Sequence, residues 1–357
     1  MNKVKVIFVI FLLISSPFLS SYTHGTANAD IEKFFPEGFD EQTEEELFSS
    51  LEIGSVINAI LSAFSENFAE VLGFFAAIFG LAILVICAET CLSGENSAFS
   101  RQISAAAAGV SGLAVFTGIY PLYQSVGEGI TSLTNSFATA IPAFTAILSA
   151  GGHLKSAAMG AVNMNLTLAI INYVSGKLLL PLSSAVFALS LLAGIDTGIA
   201  SLVAKRIKGF FLFLLGLVTT VLLSLFSMQS LIAAASDTAY LKAAKYAASG
   251  MIPIVGSTVS SALGTFAGGL MYAKSIVGTS AIVVMLGIAL SPIVKLLLYR
   301  LCFTLTISFL EFAGADTGKK SFSAFKDSLE ILTSVYIMTT LVCVFEVIIL
   351  MRCGGNI

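Results

Sequence analysis

Charge is scarce in this chain. Its 357 residues include 18 Lys and Arg and 21 Asp and Glu, so only 11% are charged, against about 25% in a typical soluble domain. With 57% hydrophobic residues and a mean hydropathy of +0.95, the apolar surface exceeds what a soluble interior can hide, and lipid must cover it. The net charge of −3 gives no sign of a nucleic-acid partner. Tryptophan is absent, so any interfacial aromatic belt rests on Tyr and Phe. Only two histidines occur, His24 and His153, and there is no H-E-x-x-H, G-x-S-x-G or G-x-x-x-x-G-K-[ST]. These absences leave no sequence basis for a zinc protease, a serine hydrolase, a P-loop ATPase or a bound cofactor. The five cysteines do not form a disulfide framework. Cys87 and Cys91 share a helix face in an apolar stretch and read as small buried hydrophobes.

What is present begins with a secretory leader. Lys3 and Lys5 form a basic n-region, 6–14 is a short apolar core, and Ala27-Asn28-Ala29 offers an A-x-A cleavage site. The expectation is a signal peptide over 1–29, either cleaved or kept as an anchor. Residues 30–70 follow as an extracytoplasmic segment whose first part is strongly acidic, with nine carboxylates between Asp30 and Glu52 against Lys33 alone. Thr43 and Glu46 have capping-box spacing, and Leu47, Leu51, Leu61, Phe64 and Phe68 recur at near-helical intervals, which predicts an amphipathic helix on the outer surface or on a partner.

From residue 71 the chain is a succession of apolar stretches: 71–88, 102–127, 129–152, 156–176, 178–195, 209–236, 246–273, 275–294, 296–312 and 331–351. Most reach the roughly 20 residues that cross a bilayer. The fold class this predicts is all-α: a polytopic transmembrane helical bundle with an internal repeat, preceded by a signal peptide. Ala150-Gly151-Gly152 matches Ala267-Gly268-Gly269, Lys177-Leu178-Leu179-Leu180 matches Lys295-Leu296-Leu297-Leu298, and Gly194-Ile195-Asp196-Thr197-Gly198 matches Gly314-Ala315-Asp316-Thr317-Gly318, at offsets of 117, 118 and 120. The expected organisation is two leading spans over 71–128, repeat 1 over 129–245 and repeat 2 over 246–357. The copies are parallel if the Pro142 and Pro253 stretches cross the membrane and inverted if they are re-entrant. The positive-inside rule favours the parallel case with ten spans. It places Arg101, Lys155, Lys205, Arg206, Lys208, Lys274, Lys319, Lys320 and Lys326 in the cytoplasm.

Three groups of residues stand out. Gly194, Asp196, Thr197 and Gly198, with Gly314, Asp316, Thr317 and Gly318, form a repeated turn motif that can end one helix and cap the next, or a paired gating site. Pro142, Gly151, Gly152, Pro253, Gly256, Ser257, Ser260, Ser261, Gly264, Gly268 and Gly269 are small or helix-breaking residues suited to close helix packing, oligomerisation or a pore lining. Arg300, Glu311 and Glu346 are charges inside or at the edge of spans. Such groups face a partner or a water-filled cavity, or snorkel from a helix end. Arg300 can pair with Glu346 or with another subunit. Lys177 and Lys295 are expected to snorkel, and His153 beside Lys155 to lie at an interface.

The stretch Ala243–Gly269, AAKYAASGMIPIVGSTVSSALGTFAGG, resembles the stage III sporulation protein AE family of endospore-forming bacteria. The I-P-I-V-G run is its most specific part, and the leader, acidic segment, length and apolar spans agree with it. The family often carries an acidic residue after the Ser of this stretch. Ser260-Ser261-Ala262 has none, so a role for that carboxylate has no basis here. The resemblance implies a platform or conduit subunit of a multi-protein channel, or secretion-like apparatus, between mother cell and forespore, in the mother-cell-derived membrane around the forespore. It implies as partners, besides the lipid bilayer, other stage III proteins of the same operon, including a secretion-type ATPase and ring-forming proteins, or a second copy of the chain. It brings no catalytic residues, cofactor or nucleic acid. A stand-alone secondary transporter is the alternative, and an anchor that only recruits partners a third.

Overall fold

The computed structural model describes residues 53–91, 97–179, 199–251 and 256–352, with scattered positions between 182 and 189. The leader and the acidic run up to Glu52 lie outside the described residues. Six long helices account for nearly all of the rest: α1 Ile53–Cys91, α2 Ser97–Ala150, α3 Leu154–Tyr173, α4 Ile199–Met251, α5 Gly256–Phe312 and α6 Asp316–Arg352. A π-helical turn, Val174–Leu179, extends α3. Each helix contains a window long and apolar enough to cross a membrane. The chain divides into two compact units, Met1–Ala63 and Phe64–Ile357. In the first, the described residues are the opening turns of α1, where the Ser62 hydroxyl donates to the Asn58 carbonyl at 2.8 Å. The second holds the bundle.

Several apolar stretches that read as separate spans are continuous. Stretches 102–127 and 129–152 form one helix of 54 residues that includes Pro121 and Pro142. Stretches 275–294 and 296–312 run together in the 57 residues of α5, with Pro292 and Lys295 inside. These fusions leave six helices among the described residues in place of separate spans, and the 178–195 stretch lies almost wholly outside those residues. The reason is local. Gly127 and Gly129 flank Glu128 without breaking α2, Lys295 is a single charge inside α5, and an isolated proline is tolerated inside a packed membrane helix.

The paired motifs behind the predicted repeat also fall in unlike settings. Gly151 and Gly152 make the α2–α3 turn, whereas Gly268 and Gly269 lie inside α5. Lys177 lies in the π-helical turn and Lys295 mid-helix. Gly194, Asp196, Thr197, Gly198 and Pro253 lie outside the described residues.

Two tight turns do form where glycine permits. Gly152 and Gly314 adopt φ of 81° and 74°, a left-handed conformation in which glycine carries no Cβ penalty. Each closes its helix in the same way. His153 N–H donates to the Leu148 carbonyl at 2.9 Å and Ala315 N–H to the Leu310 carbonyl at 3.0 Å.

Helix α6 is the centre of the bundle. More than half of its apolar window (56%) is buried, against 22–39% in the other five, and it packs against α2, α3, α4 and α5. Phe322, Phe325, Leu329, Tyr336, Val342 and Val347 form its share of the core. From Phe64 onward α1 lies along the C-terminal half of α5, where Phe74 stacks on Tyr299 with ring centroids 4.5 Å apart and Phe79 meets Phe309 at 4.6 Å. The outer faces of α4, including Phe210, Phe213, Leu217, Leu225 and Leu231, are exposed, as helices facing lipid require.

Candidate functional site

The residues that carry chemistry lie along α6 at successive levels. At its N-terminus, the first orphan amides of a helix need an acceptor, and here it comes from another helix: Gly318 N–H donates to Glu89 Oε1 on α1 at 3.0 Å. Gly318 is buried, and a Cβ there would lie 2.8 Å from Val85 Cγ1. In this turn motif Gly314 thus supplies the left-handed turn and Gly318 the close approach of α1. Asp316 is exposed in the first turn of α6, and Thr317 lies beside it. Glu311, exposed, pairs with Lys319 across the turn at 2.5 Å.

Three to four turns further along, α4, α5 and α6 share an ion cluster. Lys208 Nζ lies 2.6 Å from Asp327 Oδ1 and 2.6 Å from Glu330 Oε2, and Arg300 Nη2 lies 2.6 Å from Glu330 Oε1. Side-chain exposures run from 10% at Asp327 to 32% at Arg300. Two cations against two carboxylates leave no net charge, which is how such groups are accommodated between membrane helices. Arg300 therefore pairs with Glu330 and not with Glu346. Lys295, expected to snorkel, is buried and donates to Glu70 Oε2 at 2.8 Å, with the Tyr299 hydroxyl on Glu70 Oε1 at 3.2 Å. It is held inward because α1 brings a carboxylate to it. Lys177 is exposed above the Tyr173 ring. Reasoning from single spans missed Asp327, Glu330, Lys208 and Glu70. The signal was the i, i+3 spacing of Asp327 and Glu330 at the border of an apolar run.

Near the far end of α6, Glu346 is 1% exposed and accepts a hydrogen bond from the Thr167 hydroxyl of α3 through Oε2. Its Oε1 has no partner among the described residues. Close by, the α2–α3 turn carries His153, which is 5% exposed and not at a solvated interface. The N-terminus of α3 lacks a side-chain cap of its own. Asp237 of α4 substitutes, accepting from Lys155 N–H at 3.1 Å and Ser156 N–H at 2.7 Å. Burial disfavours the imidazolium and lowers the His153 pKa. Asp237 opposes that shift and Lys274 adds to it. Lys155 and Lys274 thus lie at the end of the bundle opposite Lys208 and Lys319, and not with them as the ten-span reading required.

The small-residue set is not brought together. Pro142 is exposed on α2, Gly151 and Gly152 form the turn beside His153, and Gly268 and Gly269 have open space where a Cβ would go. Gly256, Ser257, Ser260, Ser261 and Gly264 lie in the first turns of α5.

Among the described residues no three His, Cys, Asp or Glu side chains gather where they could hold a metal ion. The polar groups instead tie helices from distant parts of the sequence to one another. The family model described as Stage III sporulation protein AE matches residues 40–354. No curated protein and no solved structure matches the chain.

Proposed function

The chain belongs to the stage III sporulation protein AE family, and from that premise we propose that it is the membrane platform or conduit subunit of a multi-protein, secretion-like channel between mother cell and forespore. It acts in the mother-cell-derived membrane around the forespore and is needed for forespore development after engulfment. Its partners are the other stage III proteins of its operon, including a secretion-type ATPase and ring-forming proteins.

The observation that supports this reading is helix length. Helices α2, α4 and α5 have 54, 53 and 57 residues, so each is about 80 Å long, against a hydrocarbon core of about 30 Å. Helices α4 and α5 continue past Asp237 and Lys274 toward Met251 and Gly256, beyond the level of the α2–α3 turn. That adds about 20 Å of helix to α4 and about 27 Å to α5, and it carries the Ala243–Gly269 stretch. A solitary permease has no need of helix beyond the bilayer, whereas a platform must reach its partners outside it.

Affinity purification of the tagged chain from sporulating cells in mild detergent tests the proposal. Co-purification of the other stage III proteins at fixed stoichiometry is expected, and recovery of the chain alone overturns it in favour of the transporter. Bulky replacements at Ser257, Ser260 and Thr265 separate conduit from anchor. If the complex assembles and forespores develop normally, the conduit role is lost.

A further inference from the structure

The ion pairs described above neutralise charges in pairs. Glu346 is different. Within 331–351 it is the sole charged residue, and the stretches of the four helices packed around α6 are uncharged too: 129–152 of α2, 156–176 with α3, 209–236 of α4 and 275–294 of α5. The titratable neighbour is Cys343, buried one turn earlier on α6, while His153 lies at the α2–α3 turn, 14 residues of α3 before Thr167. Arg352 is exposed at the end of the helix, and Glu330 lies 16 residues back, about 24 Å along the axis. No side-chain cation from this level of α2–α6 faces the carboxylate. A lone carboxylate in such a place carries an uncompensated cost of several kcal/mol.

The inward face of α3 runs from Glu346 toward the α2–α3 turn. Ser156, Asn163 and Thr167 form a broken polar stripe on the buried inward face of α3, interrupted at Gly160, on which Leu350 of α6 packs. Thr167 touches Glu346 at one end. At the other, Ser156 N–H donates to Asp237, and His153 borders a small cavity lined also by Leu148, Met271 and Lys274. His153 Nδ1, Ser156 Oγ and Glu346 Oε1 are three of the four buried side-chain polar atoms without a partner among the described residues. Buried polar atoms are ordinarily satisfied, and the open oxygen of Glu346 is a position that a bound proton would satisfy.

We propose that Glu346 is a proton-binding site within the membrane. The proton bonds to a carboxylate oxygen, and the bound form keeps its hydrogen bond to Thr167. No other bond forms or breaks. This inference does not depend on the identity of the complex, and it holds for the chain alone in a bilayer.

The test uses the full chain reconstituted in liposomes and treated with dicyclohexylcarbodiimide, an apolar reagent that attacks protonated carboxyls, with the modified residue identified by mass spectrometry. Modification at Glu346 is expected, independent of sodium, and falling about tenfold per pH unit above its midpoint. Glu346→Gln, which keeps a group for Thr167 to bond, removes it. Infrared difference spectra of the wild-type chain across the same pH range should show a carboxylic-acid C=O band that Glu346→Gln lacks. If the variant does not fold, the wild-type modification pattern decides alone. Absence of modification at Glu346 at every pH overturns the proposal, as does protection by sodium at constant pH, which assigns the site to a metal cation.

Discussion

Lys208 and His153 show two ways of burying a titratable group between membrane helices. Lys208 makes two ion pairs to α6, and removing one member of such a cluster leaves an uncompensated charge behind. His153 has a distant carboxylate and a nearer apolar wall, and burial holds its pKa below the ordinary value. The folded state thus binds fewer protons than the unfolded chain between the lowered value and about 6.5, so stability rises with pH there. The contribution is complete above about pH 6.5 and declines as the pH falls below it. Thermal melts of the purified chain should show a lower midpoint at about pH 5.5 than at about pH 8, and His153→Gln should lose much of that difference. An unchanged pH response in the variant would place its origin elsewhere.

Among the helices, close approach is set by particular glycines. A Cβ at Gly129 of α2 would sit 2.9 Å from the Tyr336 hydroxyl and 3.1 Å from Pro292 Cγ. These are a ring and a pyrrolidine, neither of which can yield. Gly129→Ala should therefore force α2 away from α5 and α6 and destabilise by about 1–3 kcal/mol. Gly268 of α5 has nothing within 4 Å of the same position. Gly268→Ala should raise stability by about 0.5–1 kcal/mol through helix propensity alone. Detergent-denaturation midpoints of the two variants should move in opposite directions. The contrast also shows what the sequence made legible. Both glycines belong to the same composition signal, and spacing cannot distinguish a packed one from an open one. The turns at Gly152 and Gly314 could be read, because a left-handed residue is a local requirement. The pairing of Lys295 with Glu70 could not, because it joins residues 225 apart. Similarly, the apolar stretches were countable, but the fusion of 102–127 with 129–152 and of 275–294 with 296–312 was not, since a lone Glu128 reads alike at a turn and on an exposed helix face.

For the molecule in its membrane, the two tight turns mark opposite ends of the bundle. The α5–α6 turn lies with Lys319 and the basic 205–208 cluster, and the α2–α3 turn lies with Lys155 and Asp237. The positive-inside rule puts the first end in the cytoplasm. Single cysteines at Lys320 and Leu154, both exposed, should react with an impermeant maleimide from opposite sides, Lys320 from the cytoplasm. Reaction of both from one side would contradict the six-helix topology. The resemblance in Ala243–Gly269 identified the family that the match over 40–354 establishes, whereas the ion pairs among the described residues join other parts of the helices. Its value lay in recognition, and the interior had to be seen in three dimensions.

The polar stripe of α3 carries a consequence for synthesis. Thr167 meets Glu346 across 179 residues of chain. At about 5–20 residues per second, the ribosome completes Glu346 about 10–40 seconds after Thr167. Throughout that interval α3, with its Ser, Asn and Thr face and the lowest hydropathy but one of the six helices, has no α6 to receive it. The bundle therefore closes from its C-terminal end, and α3 needs temporary shelter, in the insertion machinery or against α2, until α6 arrives.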